Sequence, residues 1–163
     1  GALLLDGAIL TSERLRRRVH RTLMDCDSLG EHTIIAGGDQ GCDPHQVGFG
    51  PLRACETIVI DIFPRDETSG YFGDLTRTVC KGQASEAMLR LYQTVLEAQQ
   101  LGLEIHERPS IGRRDEVLGS GHIVTMEPGL YYRGTGGVRI EDTVVVCEGG
   151  YENLTTLPKV FEV

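Results

Sequence analysis

No apolar run in this sequence is long enough to span a bilayer, which takes about 20 residues, and no CxxC pair or basic cluster stands out apart from Arg16 to Arg18. The first absence argues against a membrane protein, and Gly1 to Leu5 is too short for a signal peptide. The five cysteines, Cys26, Cys42, Cys55, Cys80 and Cys147, are odd in number and widely spaced, so they read as free thiols in a reducing cytoplasm. Cys42, three residues before His45, is a minor candidate for a thiol nucleophile. With 16 Lys and Arg against 24 Asp and Glu, the net charge of −8 argues against nucleic acid as a partner, which needs a basic face. What remains is an ordinary globular composition, 40% hydrophobic and 25% charged, in 163 residues. That length fits one domain with a real core.

Two helices are legible. Leu15, Val19 and Leu23 recur every four positions from Thr11 to about Cys26, with Thr11 or Ser12 as the cap. Ala87, Leu91, Val95 and Ala98 mark a second helix from Ala84 to about Gln100. Strands are expected over Thr33 to Ala36, Glu56 to Phe63, Tyr71 to Cys80, Leu101 to His106, Gly121 to Glu127 and Gly137 to Cys147. The Gly- and Pro-rich stretch from Gly37 to Pro51 is loop and carries Asp39, Asp43 and His45. Without a regular βαβ alternation, the pattern is that of an α+β domain with a curved, largely antiparallel sheet.

Four carboxylates, Asp61, Asp74, Glu127 and Glu141, fall inside these strand segments. Burying a carboxylate without compensation costs several kcal/mol, so the set asks for a positive partner, and a pair of metal ions is the simplest one. Alternating side chains share a face of a strand. Asp61 therefore goes with Thr57, Val59 and Phe63 against an isoleucine face of Ile58, Ile60 and Ile62. Asp74 goes with Phe72, Thr76 and Thr78, Glu127 with Thr125, and Glu141 with Arg139 and Thr143.

The stretches IDIFPRDETSGYFGDLTRT (60–78), LGLEIHERP (101–109), VTMEPGLY (124–131) and GGVRIEDTVVV (136–146), with the loop GGDQGCDPH (37–45), resemble the pita-bread metallopeptidases, in particular the Xaa-Pro aminopeptidases and Xaa-Pro dipeptidases. The resemblance implies a pita-bread domain over residues 1–163 with helices on the outer face of the sheet. It implies two divalent ions, Mn, Co, Zn or Fe, with Asp61 on one metal, Asp74 and Glu141 bridging, and Glu127 on the second. A hydroxide shared by two such ions would attack the peptide carbonyl of a short proline-containing substrate. His45 and His106 are carried over as substrate-contacting or proton-transferring residues, and Arg139 as a residue orienting the carboxylates.

One departure accompanies the resemblance. The family's metal-binding histidine lies in a GHG-like turn seven residues before the counterpart of His106, where this chain has Gln99 inside a helix. The same place shows a helix running into an expected strand at Gln100 and Leu101, with only Gly102 as a stop signal, although a connecting loop is the norm. A segment is therefore expected to be missing between 100 and 101, either omitted from the sequence or physically absent from the chain. A physically shortened chain would bind metal weakly, show little or no peptidase activity, favour a homodimer that covers the gap, and make a noncatalytic binding or interaction module the alternative function.

Overall fold

The computed structural model describes residues 1–104 and 118–163. A small hairpin, β1 (Leu4–Leu5) and β2 (Ala8–Ile9), leads into α1 (Ser12–Met24). The Thr11 hydroxyl caps this helix by accepting from the Arg14 N–H at 3.3 Å. The strand β3 (Ser28–Gly37) follows, then a 3₁₀ turn (Gly38–Cys42), β4 (Thr57–Asp66) and β5 (Leu75–Cys80). The remainder is α2 (Glu86–Glu104), β6 (Ile123–Met126), β7 (Gly129–Tyr132), β8 (Gly136–Arg139), β9 (Asp142–Cys147) and β10 (Gly150–Asn153).

The strands form antiparallel groups ordered β3-β4-β5, β10-β9-β6, β7-β8 and β1-β2. A single bridge between Thr76 and Glu141 joins β5 to the β8–β9 junction. The isoleucine face of β4 behaves as its spacing requires: Ile58 and Ile60 pack with Ile35, Leu52, Leu15 and Val19 beneath α1. Against β8, Met88, Leu91, Tyr92 and Val95 of α2 enclose Val138 and Ile140. Both helices thus cover one side of the sheets and leave the other side to the carboxylates.

Several expectations need correction. Leu101 to Glu104 are not strand: α2 passes through Gln100 and Leu101 without a break. Its buried stripe of Val95, Gln99 and Leu103 continues at four-residue spacing, and Leu103 packs on Met126 and Val144. Gly102 is not a helix stop either. A Cβ there would lie 2.6 Å from Met126 Sδ, so the glycine lets α2 approach β6. The single strand expected over Gly137 to Cys147 is two, β8 and β9, interrupted at Ile140 and Glu141. β5 begins at Leu75, and the residues before it reach the sheet through one bridge, Phe72 to Arg65. β3 is longer than expected because its pairing with β4 resumes after an irregularity between Glu31 and Ile34.

The loop from Asp43 to Pro51 is pinned at Gly48, whose φ is +87° and whose added Cβ would fall 1.7 Å from the Ile35 carbonyl oxygen. Gly48→Ala is expected to destabilise the protein by about 2 kcal/mol more than Gly50→Ala, where φ is also positive but nothing lies within 4 Å. Thermal melts of the two variants check this, and equal losses would show that the close approach to Ile35 is not a constraint.

Candidate metal centre

The site is built on a row of cross-strand partners. Asp61 on β4 is registered opposite Thr76 on β5, and Thr76 is bridged in turn to Glu141. The Glu141 N–H donates to the Thr76 carbonyl at 3.0 Å, and the Thr76 hydroxyl donates to Glu141 Oε2 at 2.8 Å. Asp74 enters from the turn just before β5, where its carbonyl accepts from the Thr143 hydroxyl at 2.9 Å. One carboxylate oxygen from each of Asp61, Asp74 and Glu141 lies within 4.8 Å of the others.

Arg139, at the end of β8, supplies the fixed positive charge. Its guanidinium pairs with Asp61 Oδ2, reaches the Thr76 hydroxyl at 3.3 Å, and donates to the Pro44 carbonyl and the Tyr131 hydroxyl, each at 3.3 Å. One arginine does not neutralise this many acids. Burial, followed by repulsion from Asp61, pushes Asp74 up to about 6. Burial pushes Glu141 up to about 8 against the Thr76 hydrogen bond, with repulsion from Asp74, Glu127 and Asp61 adding to it. Glu141 is 1% exposed, and its Oε1 has no hydrogen-bond partner among the described residues.

The sequence-predicted residues do not all gather equally. Glu127 lines the same cavity of about 360 Å³ as Asp61, Asp74, Arg139 and His45, yet it stands outside the tight trio and accepts from the Thr125 hydroxyl at 3.3 Å. His45 is exposed on the cavity rim, and its N–H donates to Asp43 Oδ1 at 3.0 Å. His106 lies outside the described residues. Gln99, at the position where the resemblance would place a histidine ligand, is not in the cavity; it is buried in α2 behind the sheet. Cys42 does not suit a nucleophile, since burial, then the negative Asp39, push its thiol up.

Sequence reasoning missed three wall residues, His32, Phe63 and Tyr131, as functional candidates. It also gave Thr76 no role beyond a shared face, although this hydroxyl links Glu141 to Arg139. A threonine within a strand carries no signal of its own; its importance comes from being opposite Asp61 in the ladder.

The donor set fits a divalent cation. Three convergent carboxylates provide hard oxygen ligands, their mutual repulsion asks for positive charge, and the unpartnered Glu141 Oε1 is a buried acceptor without a donor.

The model of metallopeptidase family M24 matches residues 6–104 and 100–148. The chain belongs to metallopeptidase family M24. Among relatives of this M24 chain, the Xaa-Pro dipeptidase of Pyrococcus furiosus is 34% identical over 164 residues, covering 76% of this chain and 47% of its own length. The chain therefore spans about half the length of the curated relatives it matches. Among solved structures, the Xaa-Pro dipeptidase from Bacillus anthracis superposes with a TM-score of 0.86 at 25% identity, over 94% of this chain and 55% of that one. An X-Pro aminopeptidase from Thermotoga maritima gives 0.85 at 28% identity over 94% and 55%. The M24 chain has the pita-bread fold of these proteins. The two pieces of the family match overlap at 100–104. In the Pyrococcus furiosus comparison, 164 aligned positions set against 76% of 163 residues leave about 40 positions of the relative facing no residue here.

Proposed function

We propose that this chain is the catalytic part of a divalent-metal-dependent peptidase that hydrolyses the bond preceding proline in short peptides, on a single domain that lacks a segment its relatives carry near residue 100. The observation that carries the reading is the trio Asp61, Asp74 and Glu141 with its unpartnered buried oxygen. The names of M24 relatives that act on Xaa-Pro peptides supply the substrate class. Two ions are proposed, one held by Asp61, Asp74 and Glu141, the second engaging Glu127 from the same cavity wall. When bound, such ions supply Lewis-acid polarisation of a carbonyl and an activated water.

The chain's own residues do the rest. Arg139 holds Asp61 in place through a contact that also ties down the Pro44 carbonyl, so the loop carrying His45 is fixed relative to the carboxylates. His45, on the cavity rim, is proposed to contact the substrate or pass a proton to the departing amine. His106 is proposed for a similar part. Phe63 and Tyr131 give the wall the apolar surface that a prolyl ring would meet.

The test is hydrolysis of Ala-Pro and Ala-Pro-Ala by Mn²⁺-loaded protein, with chelated protein as the control. Turnover that requires metal, reduced about 100-fold in His45→Ala, is the expected result. Metal bound at the carboxylates without turnover would sink the enzyme reading and leave a binding module in its place.

A further inference from the structure

α2 presents an apolar stripe to the sheets, Met88, Leu91, Val95 and Leu103, and one amide interrupts it. Gln99 is fully buried, its Nε2 donates to the Met126 carbonyl at 3.1 Å and the Ile140 carbonyl at 3.3 Å, and its Oε1 has no partner among the described residues. A leucine or methionine would fill this place without burying an amide, and the unpaired oxygen has a desolvation cost. Helix stability therefore does not account for a glutamine here. The two acceptors do: Met126 immediately precedes Glu127, and Ile140 immediately precedes Glu141.

Their location sharpens the point. The β6–β9 ladder ends at the pair Met126 and Asp142. Beyond it the chain at Glu127 turns through Pro128 into β7, while Glu141 sits in the gap between β8 and β9. No β6–β9 ladder pair holds the two glutamate backbones together, and one NH₂ group binds the residue before each. Both N–H donors are used, which also fixes the amide's orientation, since a flipped amide would set its oxygen against two carbonyl oxygens. One turn further along α2, Gly102 admits Met126 against the helix and Leu103 packs on Met126 and Val144, so the amide is held in register with Met126 by close contacts.

We infer that Gln99 is a positioning residue that sets the separation of Glu127 and Glu141 from behind the sheet, by clamping the backbone carbonyls that precede them. The inference rests on the metal-binding reading above, not on peptide hydrolysis. Its test is Gln99→Met in the full chain, with Mn²⁺ affinity measured by calorimetry on metal-stripped protein and folding followed by circular dichroism. The expected result is a folded variant whose Mn²⁺ affinity is lower by roughly 10- to 100-fold, the range for residues that orient ligands. A folded variant with wild-type Mn²⁺ affinity overturns the inference while leaving the metal centre intact; a wild-type chain without Mn²⁺ affinity overturns both. Should the variant fail to fold, the wild-type protein decides. The Gln99 side-chain NH₂ resonances, assigned through contacts to Met126 and Ile140, are expected to shift as Zn²⁺ is added and to saturate with it. Resonances indifferent to bound Zn²⁺ overturn the inference.

Discussion

Glu141→Gln is expected to move two observables in opposite directions: Mn²⁺ affinity falls by roughly 100-fold or more, while the metal-free protein at pH 8 gains on the order of 3 kcal/mol. The first follows from removing a charged ligand from a trio with oxygens within 4.8 Å of one another. The second follows from the sign of the Glu141 shift. In the folded, metal-free protein burial and neighbouring acids hold this carboxyl at about 8, against an ordinary value of 4.5. The folded state therefore keeps a proton that the unfolded chain releases, and stability present below pH 4.5 is lost as pH rises through 8. Glutamine has no proton to release and keeps an oxygen for the Thr76 hydroxyl. Asp74, raised to about 6 mainly by burial, adds a smaller loss of the same sign between about pH 4 and 6. Denaturant unfolding of chelated protein from pH 4.5 to 8 is the measurement. A variant no more stable than wild type at pH 8 would show that Glu141 is ionised without penalty, and the argument for a cation in the trio would fail with it. The same proton makes metal binding compete with protonation, so wild-type Mn²⁺ affinity rises over this range.

Arg77→Met should cost about 3 to 5 kcal/mol, the scale for removing one partner of a buried ion pair. For a domain of this size that is a fall in Tm on the order of 10 °C. Arg77 is 6% exposed and pairs with Asp142 Oδ1 at 2.8 Å. It also donates to the carbonyls of Glu141 at 2.7 Å, Thr76 at 2.9 Å and Leu157 at 2.7 Å. Methionine fills much of the volume but removes the Arg77 donors from the Glu141 and Leu157 carbonyls, while the Thr76 carbonyl keeps the Glu141 N–H, and it leaves the fully buried Asp142 to Lys159 at 2.6 Å and Asn153 at 2.9 Å. Burial raises Asp142, but its hydrogen bonds with Lys159, Asn153 and Arg77 outweigh that and leave it lowered. Stability from this carboxylate is thus present above its unfolded pKa and lost as pH falls through the folded one. Arg77→Met combined with Asp142→Asn should lose less than the two single changes together. A single variant within 1 kcal/mol of wild type would mean that the tail from Leu157 to Lys159 does not depend on this anchor.

The strand period puts Asp61 on the face opposite the isoleucines, as side-chain alternation requires of any extended chain, whereas Asp74, Glu127 and Glu141 lie just outside the strands. Asp61 and Thr76 needed only that alternation to share a face. What the period does not encode is where a ladder stops. In Gly137 to Cys147 the apolar parity of Val138, Ile140, Val144 and Val146 is interrupted only at Asp142, which by itself does not say where a ladder stops, although it is the break at Ile140 and Glu141 that turns Glu141 toward Thr76. Gly102 looked like the end of a helix because its packing role against Met126 depends on a strand more than 20 residues away. Glu127 is expected in a strand with Thr125, but β6 ends one residue earlier, at Met126, and Glu127 stands outside the tight trio. No helix among the described residues is long and apolar enough to cross a membrane.

The row Asp61, Thr76, Glu141 has a bearing on how such a site tolerates sequence change. Its geometry depends on which residues face each other across the ladder, and hardly at all on how far apart they are in the chain. The turn between β4 and β5, from Glu67 to Gly73, can therefore gain or lose residues while the acids stay together, which is how Asp61 and Asp74 meet across 13 positions. Within a strand the opposite holds. Deleting one residue between Thr57 and Asp61 would leave the length of the protein nearly unchanged, yet it would set an isoleucine among the acids or force the whole strand out of pairing. Evolution, or an engineer, has free play in the connections and almost none in the parity of the strands.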